Sequence, residues 1–253
     1  MNAFRRQGIN EFIQANGRAT YEDLMMLYPD VSCMTLRRDI EALEQEGLVV
    51  RVRGGARSVT SISADNDDKY AIRAAANVGP KTEVAQKVLE YIEPDHSLYF
   101  DSGSTVMLVA NKLTNLYYSI TTAAPNIAME LLRKNRITVN LLGGRFNRDT
   151  VAVSGFSAIE QVNSVNIDVA IMATSGFSVD CGFTSGEYDE VQLKKAVIKR
   201  ARKVIMVMDS SKLGKALQYT FASLEDIDMI VLEKEPDAET LALCQKHNVT
   251  VVY

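Results

Sequence analysis

The stretch Val31-Ser32-Cys33-Met34-Thr35-Leu36-Arg37-Arg38-Asp39-Ile40 decides how the front of this 253-residue chain is read. At helical spacing Leu36, Ile40 and Leu43 share one face, while Met34, Thr35, Arg37, Arg38 and Glu41 fall on the others. Ser32 suits the N-cap of a helix over roughly 34–46, and Gly47 ends it. An apolar anchoring stripe with small polar residues and arginine near the N-terminus is what a helix needs to enter the major groove of DNA. Arginine can hold guanine through two hydrogen bonds or clamp a phosphate. The plainer alternative is a solvated helix in which Arg37 and Arg38 pair with Asp39, Glu41 or Glu44.

The flanks favour DNA. Phe4, Ile9, Phe12 and Ile13 recur at helical spacing over 3–15, where Asn16-Gly17 stops them. Thr20-Tyr21-Glu22-Asp23 reads as a capping box, with Asp in place of Glu, opening a short helix through Leu24, Met25 and Leu27. Leu48–Arg53 alternates as a strand, and Gly54-Gly55 signals a hairpin turn. Three helices and then a hairpin is the order of a winged helix-turn-helix, with Arg51, Arg53 and Arg57 on a wing against the adjacent DNA backbone. The formal net charge of −4 hides this edge: Gly47–Arg57 has three arginines and no acid, and the local field governs contact with nucleic acid. Residues 1–57 use arginine only and no lysine.

Residues 58–70 are polar and aperiodic, as a linker would be. The expected division is a winged helix-turn-helix over 1–57, a linker over 58–72 and an effector domain over 73–253. Short apolar runs at 97–100, 117–121, 137–142, 167–173, 204–208, 228–232 and 249–252 alternate with helix-like segments such as Lys81–Tyr91, Val106–Leu113, Pro125–Lys134, Glu187–Arg200 and Asp237–Lys246. That alternation predicts an α/β domain with a mostly parallel sheet, large enough to bury its own core.

Within it, Asp101-Ser102-Gly103-Ser104-Thr105 follows an apolar strand and precedes a helix. Such a loop offers backbone N–H groups, hydroxyls and a positive helix end to one spot, which is the physics of holding a phosphate. The plainer reading is a well-capped turn. Thr121-Thr122, Leu142-Gly143-Gly144 and Asp209-Ser-Ser-Lys212 end further strands and could converge on it.

Catalysis finds little support. His96 and His247 are the only histidines, and Cys33, Cys181 and Cys244 form no CxxC pair. A His-rich metal site and a disulfide framework are excluded, no metal or cofactor is expected, and the scattered cysteines suit a reducing cytoplasm. No apolar run approaches the roughly 18–20 residues of a membrane span, and no membrane partner is expected. The alternative from another class is a sugar-phosphate isomerase-like enzyme with a fused helical module. Thr174-Ser175-Gly176 then ends a strand with no acid to serve as base.

Over its whole length the sequence resembles the DeoR-type (GlpR-like) bacterial transcriptional regulators. The resemblance is carried by Val31-Ser-x-x-Thr-Leu-Arg-Arg-Asp-Ile40 with Leu43-Glu44, Arg51-Val-Arg-Gly-Gly-Ala56, Asp101-Ser-Gly-Ser-Thr105, Leu142-Gly-Gly144, Ser175-Gly-Phe177 with Gly182-Phe-Thr184, and Asp209-Ser-Ser-Lys-Leu-Gly214. It implies an operator-binding winged helix and a non-catalytic sensor resembling ribose-5-phosphate isomerase. By the same resemblance the protein represses a sugar catabolic or uptake operon, is released by a phosphorylated sugar or related metabolite, and acts as a homodimer or homotetramer on double-stranded operator DNA. Carried over by position, Ser32, Thr35, Arg37 and Arg38 are expected DNA contacts, and Met34 on the same helix with Arg51 and Arg53 on the wing complete that set. Asp101, Gly103, Ser104, Thr105, Gly143, Gly144, Glu190 and Lys212 are carried over as effector contacts, and Ser102 and Thr122 at the same strand ends are expected to join them. Two positions depart from the family pattern: Thr122-Ala123 where Thr-Asn is common, and Leu232-Glu233 where Thr-Asp is common.

Overall fold

The structure, a computed structural model, describes residues 2–52, 54–58 and 69–253, with the side chains of 2–4, 15 and 69 left out. The chain forms two compact units, Met1–Val78 and Gly79–Tyr253. Most of the stretch expected as a linker lies outside the described residues.

In the first unit α1 (Asn2–Asn16) leads to strand β1 (Arg18–Thr20), α2 (Tyr21–Leu27) and α3 (Cys33–Gln45). Strands β2 (Val49–Val52) and β3 (Gly55–Ser58) then form the hairpin, and α4 (Lys69–Ala75) follows. The capping box at Thr20 is present: its side chain accepts from Asp23 N at 3.1 Å, and Asp23 accepts from Thr20 N at 2.8 Å. The sheet order is β1-β3-β2, antiparallel throughout. Ile9, Ile13, Leu24, Leu36, Ile40, Leu43 and Val49 close the core beneath it.

Residues 18–20, between the helix stop at Asn16-Gly17 and the cap at Thr20, form a strand that the sequence pattern does not show, because the returning hairpin gives their backbone an antiparallel partner from Gly55 to Arg57. The expected linker loses both ends: Ser58 belongs to β3, and residues 69–75 are helical, in keeping with three alanines of high helix propensity.

The second unit opens with α5 (Val78–Val88) and then winds as β4 (Ser97–Phe100), α6 (Ser104–Lys112), β5 (Tyr118–Thr122), α7 (Pro125–Leu131) and β6 (Ile137–Leu141). A hairpin of β7 (Arg145–Asn147) and β8 (Ala152–Ser154), α8 (Phe156–Asn163) and β9 (Ile167–Ala173) come next. After β10 (Gly176–Ser178), β11 (Gly182–Ser185), α9 (Tyr188–Arg200) and β12 (Ala201–Val207) the chain ends in β13 (Tyr219–Ala222), β14 (Met229–Val231), α10 (Ala238–Lys246) and β15 (Thr250–Val252).

Seven strands make one parallel sheet, in the order β15-β14-β12-β9-β4-β5-β6. Both faces are covered, which is why its strands read as apolar runs instead of alternating. In β9, Val169 and Ile171 enter one core cluster while Ala170 and Met172 enter the other, and β12 divides the same way. The chain runs from β4 outward through β5 to β6, then returns to the other side of β4 with β9. The direction of winding reverses between β4 and β9, and open α/β folds bind ligands just beyond the strand ends at such a switch point.

Gly54 has φ +92°, and at Gly55 a Cβ would run into the backbone of Ala19 and Thr20. Gly55→Ala is therefore expected to cost about 1–3 kcal/mol by overpacking β1 against β3. A calorimetric scan of the full chain should show the N-terminal transition several degrees lower and the C-terminal one unmoved.

Candidate nucleic-acid interface and ligand cradle

Ser32 caps α3 as expected, accepting from Thr35 N at 3.3 Å, and its hydroxyl lies 2.9 Å from the Thr35 hydroxyl. Met34, Arg37 and Arg38 are exposed, Met34 at 60%. The Arg37 guanidinium sits over the Tyr21 ring, 5.2 Å from its centroid.

The acids that could have neutralised these arginines are engaged elsewhere. Asp39, 2% exposed, accepts from Arg5 Nε at 2.6 Å and from Arg6 Nε at 3.2 Å. Glu41 and Glu44 both take the guanidinium of Arg51, at 2.6 Å each, and Glu44 also accepts from Arg51 N at 3.0 Å. Among the described residues neither Arg37 nor Arg38 meets a carboxylate. This disfavours the solvated-helix alternative, in which their acids would have been these three.

Arg51, still exposed on the wing, also braces strand β2 against α3 through Glu41 and Glu44, because β2 lays it beside these two glutamates one helical turn apart. Arg53 lies outside the described residues. Arg57 is half-buried in β3. Sequence reading missed the bracing role of Asp39, since its partners in α1 are more than 30 residues away.

In the second unit the loop after β4 behaves as a helix entry. Gly103 is the N-cap of α6 with φ +125°, a conformation that favours glycine, and its carbonyl accepts from Met107 N at 3.0 Å. Ser102, Ser104 and Thr105 are nearly buried, and among the described residues their hydroxyls make no hydrogen bond.

Asp101 is turned inward, which corrects its expected role as a direct contact. Its Oδ1 accepts from Ser102 N at 2.8 Å, and its Oδ2 accepts from Ala173 N at 2.9 Å and from Lys194 Nζ. Lys194 also donates to Ala173 O at 2.9 Å and lies 3.2 Å from Glu190, which accepts from the Ser185 hydroxyl at 3.1 Å. Burial opposes the Lys194 ammonium, but Asp101 and Glu190 outweigh it and hold its pKa above the usual lysine value. Burial raises the Asp101 carboxyl despite the pull of Lys194. Lys194 was missed in the sequence because a lysine inside an amphipathic helix reads as a surface residue.

Thr122 is also corrected: it is fully buried, and its hydroxyl accepts from Ala124 N at 3.1 Å, so it holds the turn after β5. Gly143 and Gly144 are exposed past the end of β6. The Gln161 carboxamide grips Gly143, accepting from its N–H at 3.0 Å, and a Cβ on Gly144 would strike Ser154 O. Lys212 closes a 3₁₀ turn, Ser210–Lys212, capped by Asp209. Glu233, at the second departure from the family pattern, clamps this turn, accepting from Ser210 N at 2.9 Å and from its hydroxyl at 2.5 Å. The loops after β4, β5, β6, β9 and β12 thus share the C-terminal edge of the sheet. Among the described residues no cluster of side chains could hold a metal ion, and no helix is long and apolar enough to cross a membrane.

An α3 anchored from inside and cationic outside, backed by α2 and flanked by a wing, defines a DNA-binding regulator of the helix-turn-helix class. The chain belongs to the DeoR family: residues 5–62 match the DeoR-like helix-turn-helix domain, and residues 76–234 match the DeoR C terminal sensor domain. It is 32% identical over 251 residues to the HTH-type transcriptional regulator GlpR of Haloferax volcanii, covering 99% of this chain and 97% of the relative. It is 28% identical over 246 residues to the glycerol-3-phosphate regulon repressor of Escherichia coli K12, covering 97% and 96%. Among solved structures, ribose 5-phosphate isomerase A from Methanocaldococcus jannaschii overlays with a TM-score of 0.41 at 16% identity, covering 55% of each chain. The protein is a transcriptional regulator and not an enzyme, and the isomerase alternative falls away.

Asp39→Ala removes the carboxylate common to two arginines. The arginines are only part-buried and hydrogen bonds to charged groups are worth about 1.5–3 kcal/mol, so the N-terminal unit should melt several degrees below the wild type, while truncating exposed Arg38 should leave its melting unchanged.

Proposed function

We propose that the protein is a repressor that acts in the cytoplasm as a homodimer or homotetramer on double-stranded operator DNA, and that a phosphorylated sugar or related metabolite releases it. The observation that carries the DNA side is that Arg37 and Arg38 stand exposed with their neighbouring acids bound elsewhere. With α3 in the major groove, Arg38 meets a base edge or phosphate, Ser32 and Thr35 lie at the cap near the backbone, and exposed Met34 offers an apolar surface to a thymine methyl. A closed oligomer repeats this helix, and half-site spacing follows its symmetry. The names of the Escherichia coli relative and of other regulators in the family favour a repressor.

The effector side rests on the loop at the switch point. The free N–H groups at the start of α6 and the hydroxyls of Ser102, Ser104 and Thr105 suit a phosphate, and Gly103 lets the backbone approach. Gly143, Gly144, Glu190 and Lys212 lie on the same sheet edge, where they would contact the remainder of the metabolite. Binding that favours one arrangement of the subunits shifts the population away from DNA, and a coupling of about 1–3 kcal/mol changes operator affinity roughly 5–150-fold.

Two outcomes follow. Arg38→Ala should weaken binding to duplex DNA and lower the slope of log affinity against log salt by about one. Affinity equal to wild type across a salt titration would remove α3 from the interface. Ser104→Asp places a carboxylate in the first turn of α6, where it favours the helix but repels a phosphate. Thermal stabilisation by a panel of phosphorylated sugars and glycerol 3-phosphate, seen with wild type, should vanish in this variant while its fold, read by circular dichroism, is retained.

A further inference from the structure

We propose that Lys194 is a positioning residue for the loop after β4, acting through Asp101 to fix the backbone of Ser102–Thr105 and thereby setting how tightly that loop holds an anion. The inference rests on the reading of this loop as the effector cradle. An ammonium has three protons, and Lys194 has three acceptors around it: Asp101 Oδ2, Ala173 O at 2.9 Å and Glu190 Oε1 at 3.2 Å. The Phe221 ring, its centroid 5.1 Å away, closes another side, and the side chain is 4% exposed. Lys194 therefore has no proton left to offer a ligand. Its charge instead holds Asp101 at the switch point, where the other carboxylate oxygen takes the N–H of Ser102, the first residue of the hydroxyl-bearing segment. A continuous line of hydrogen bonds thus runs from α9 through Asp101 into the loop, with Ala173 at the end of β9 bonded to Asp101 by its N–H and to Lys194 by its C=O. Ser102, Ser104 and Thr105 side chains contribute no hydrogen bond of their own among the described residues, so ahead of the α6 turn that Met107 N makes to Gly103 O, the segment is held by that line and by Asp101 N on Ile171 O. Without the ammonium, Asp101 would be a buried carboxylate lacking a counter-charge, and it would turn to water and release Ser102 N.

The test is hydrogen–deuterium exchange of the full-length protein carrying Lys194→Met, read peptide by peptide. Backbone exchange over residues 101–107 should rise about tenfold or more, with exchange in the N-terminal unit and affinity for duplex DNA unchanged. Loss of one hydrogen bond to a charged group corresponds to a change of that order. A merely structural role would raise exchange throughout the second unit, and no local change at 101–107 would overturn the proposal. If Lys194→Met does not fold, Lys194→Met with Asp101→Asn removes the fully buried pair together and leaves only the half-buried Glu190, which still accepts from the Ser185 hydroxyl. The amide oxygen of that variant cannot serve Ser102 N and Ala173 N as two carboxylate oxygens do, so exchange at 101–107 should still rise, and unaltered exchange there would again refute the role. In parallel, binding of glycerol 3-phosphate and inorganic phosphate to wild type and variant is measured calorimetrically. Tight wild-type binding that survives Lys194→Met overturns the positioning role. A wild type that binds neither probe but shows the local loosening on substitution counts against the cradle reading with these anions while upholding the control of loop shape.

Discussion

Each carboxylate on α3 that could silence its two outward arginines is bound to an arginine from another element. Asp39 is taken by Arg5 and Arg6, and Glu41 and Glu44 by Arg51. The arrangement does two jobs with one set of charges. It ties α1 to the inner face of α3 and the wing to its side, and among the described residues it leaves Arg37 and Arg38 without a carboxylate partner. The exposed pairs with Arg51 are worth little in stability, on the order of 0–1 kcal/mol, so their main effect is to set which cations remain available. The buried Asp39 is different, since leaving two guanidinium groups without it is costly.

The second unit depends on the reversal of winding between β4 and β9. That reversal opens the sheet edge where the Gly103 loop enters α6, and it brings Ala173 beside Asp101. The same neighbourhood joins two buried charges, Asp101 and Lys194, to the half-buried Glu190. A buried ion pair is weak evidence for stability but can fix one arrangement of a polar segment, and here the segment is the one with unbonded hydroxyls.

Much of this was legible in the sequence, for physical reasons that differ by element. The strands of the parallel sheet announced themselves because burial on both faces removes alternation; the run 167–173 matches β9 residue for residue. The helix at 33–45 was legible from its cap and apolar stripe. Strand β1 was not, because three residues with one buried alanine carry no period and owe their form to the hairpin they meet. The antiparallel sheet of β10, β11 and β13 was not read from the sequence, because strands of three or four residues carry too little period, and the eight-residue helix α8 was not read either. In the site, Gly103 could be placed from the sequence, since only a backbone demand was involved. Asp101 and Thr122 could not be placed correctly, because an acid or hydroxyl at a strand end is equally suited to a ligand or to its own turn, and only the neighbours decide. Lys194 needed the fold before its partner 93 positions earlier could be seen.

The cationic face of α3 is built from guanidinium groups alone, in a segment where residues 1–57 include no lysine. Guanidinium stays protonated at every pH a cell reaches, and it lacks the amine that acetyl transfer requires. The attraction of this face for polyanions is accordingly indifferent to acidity and to that modification, while ionic strength still weakens it by screening.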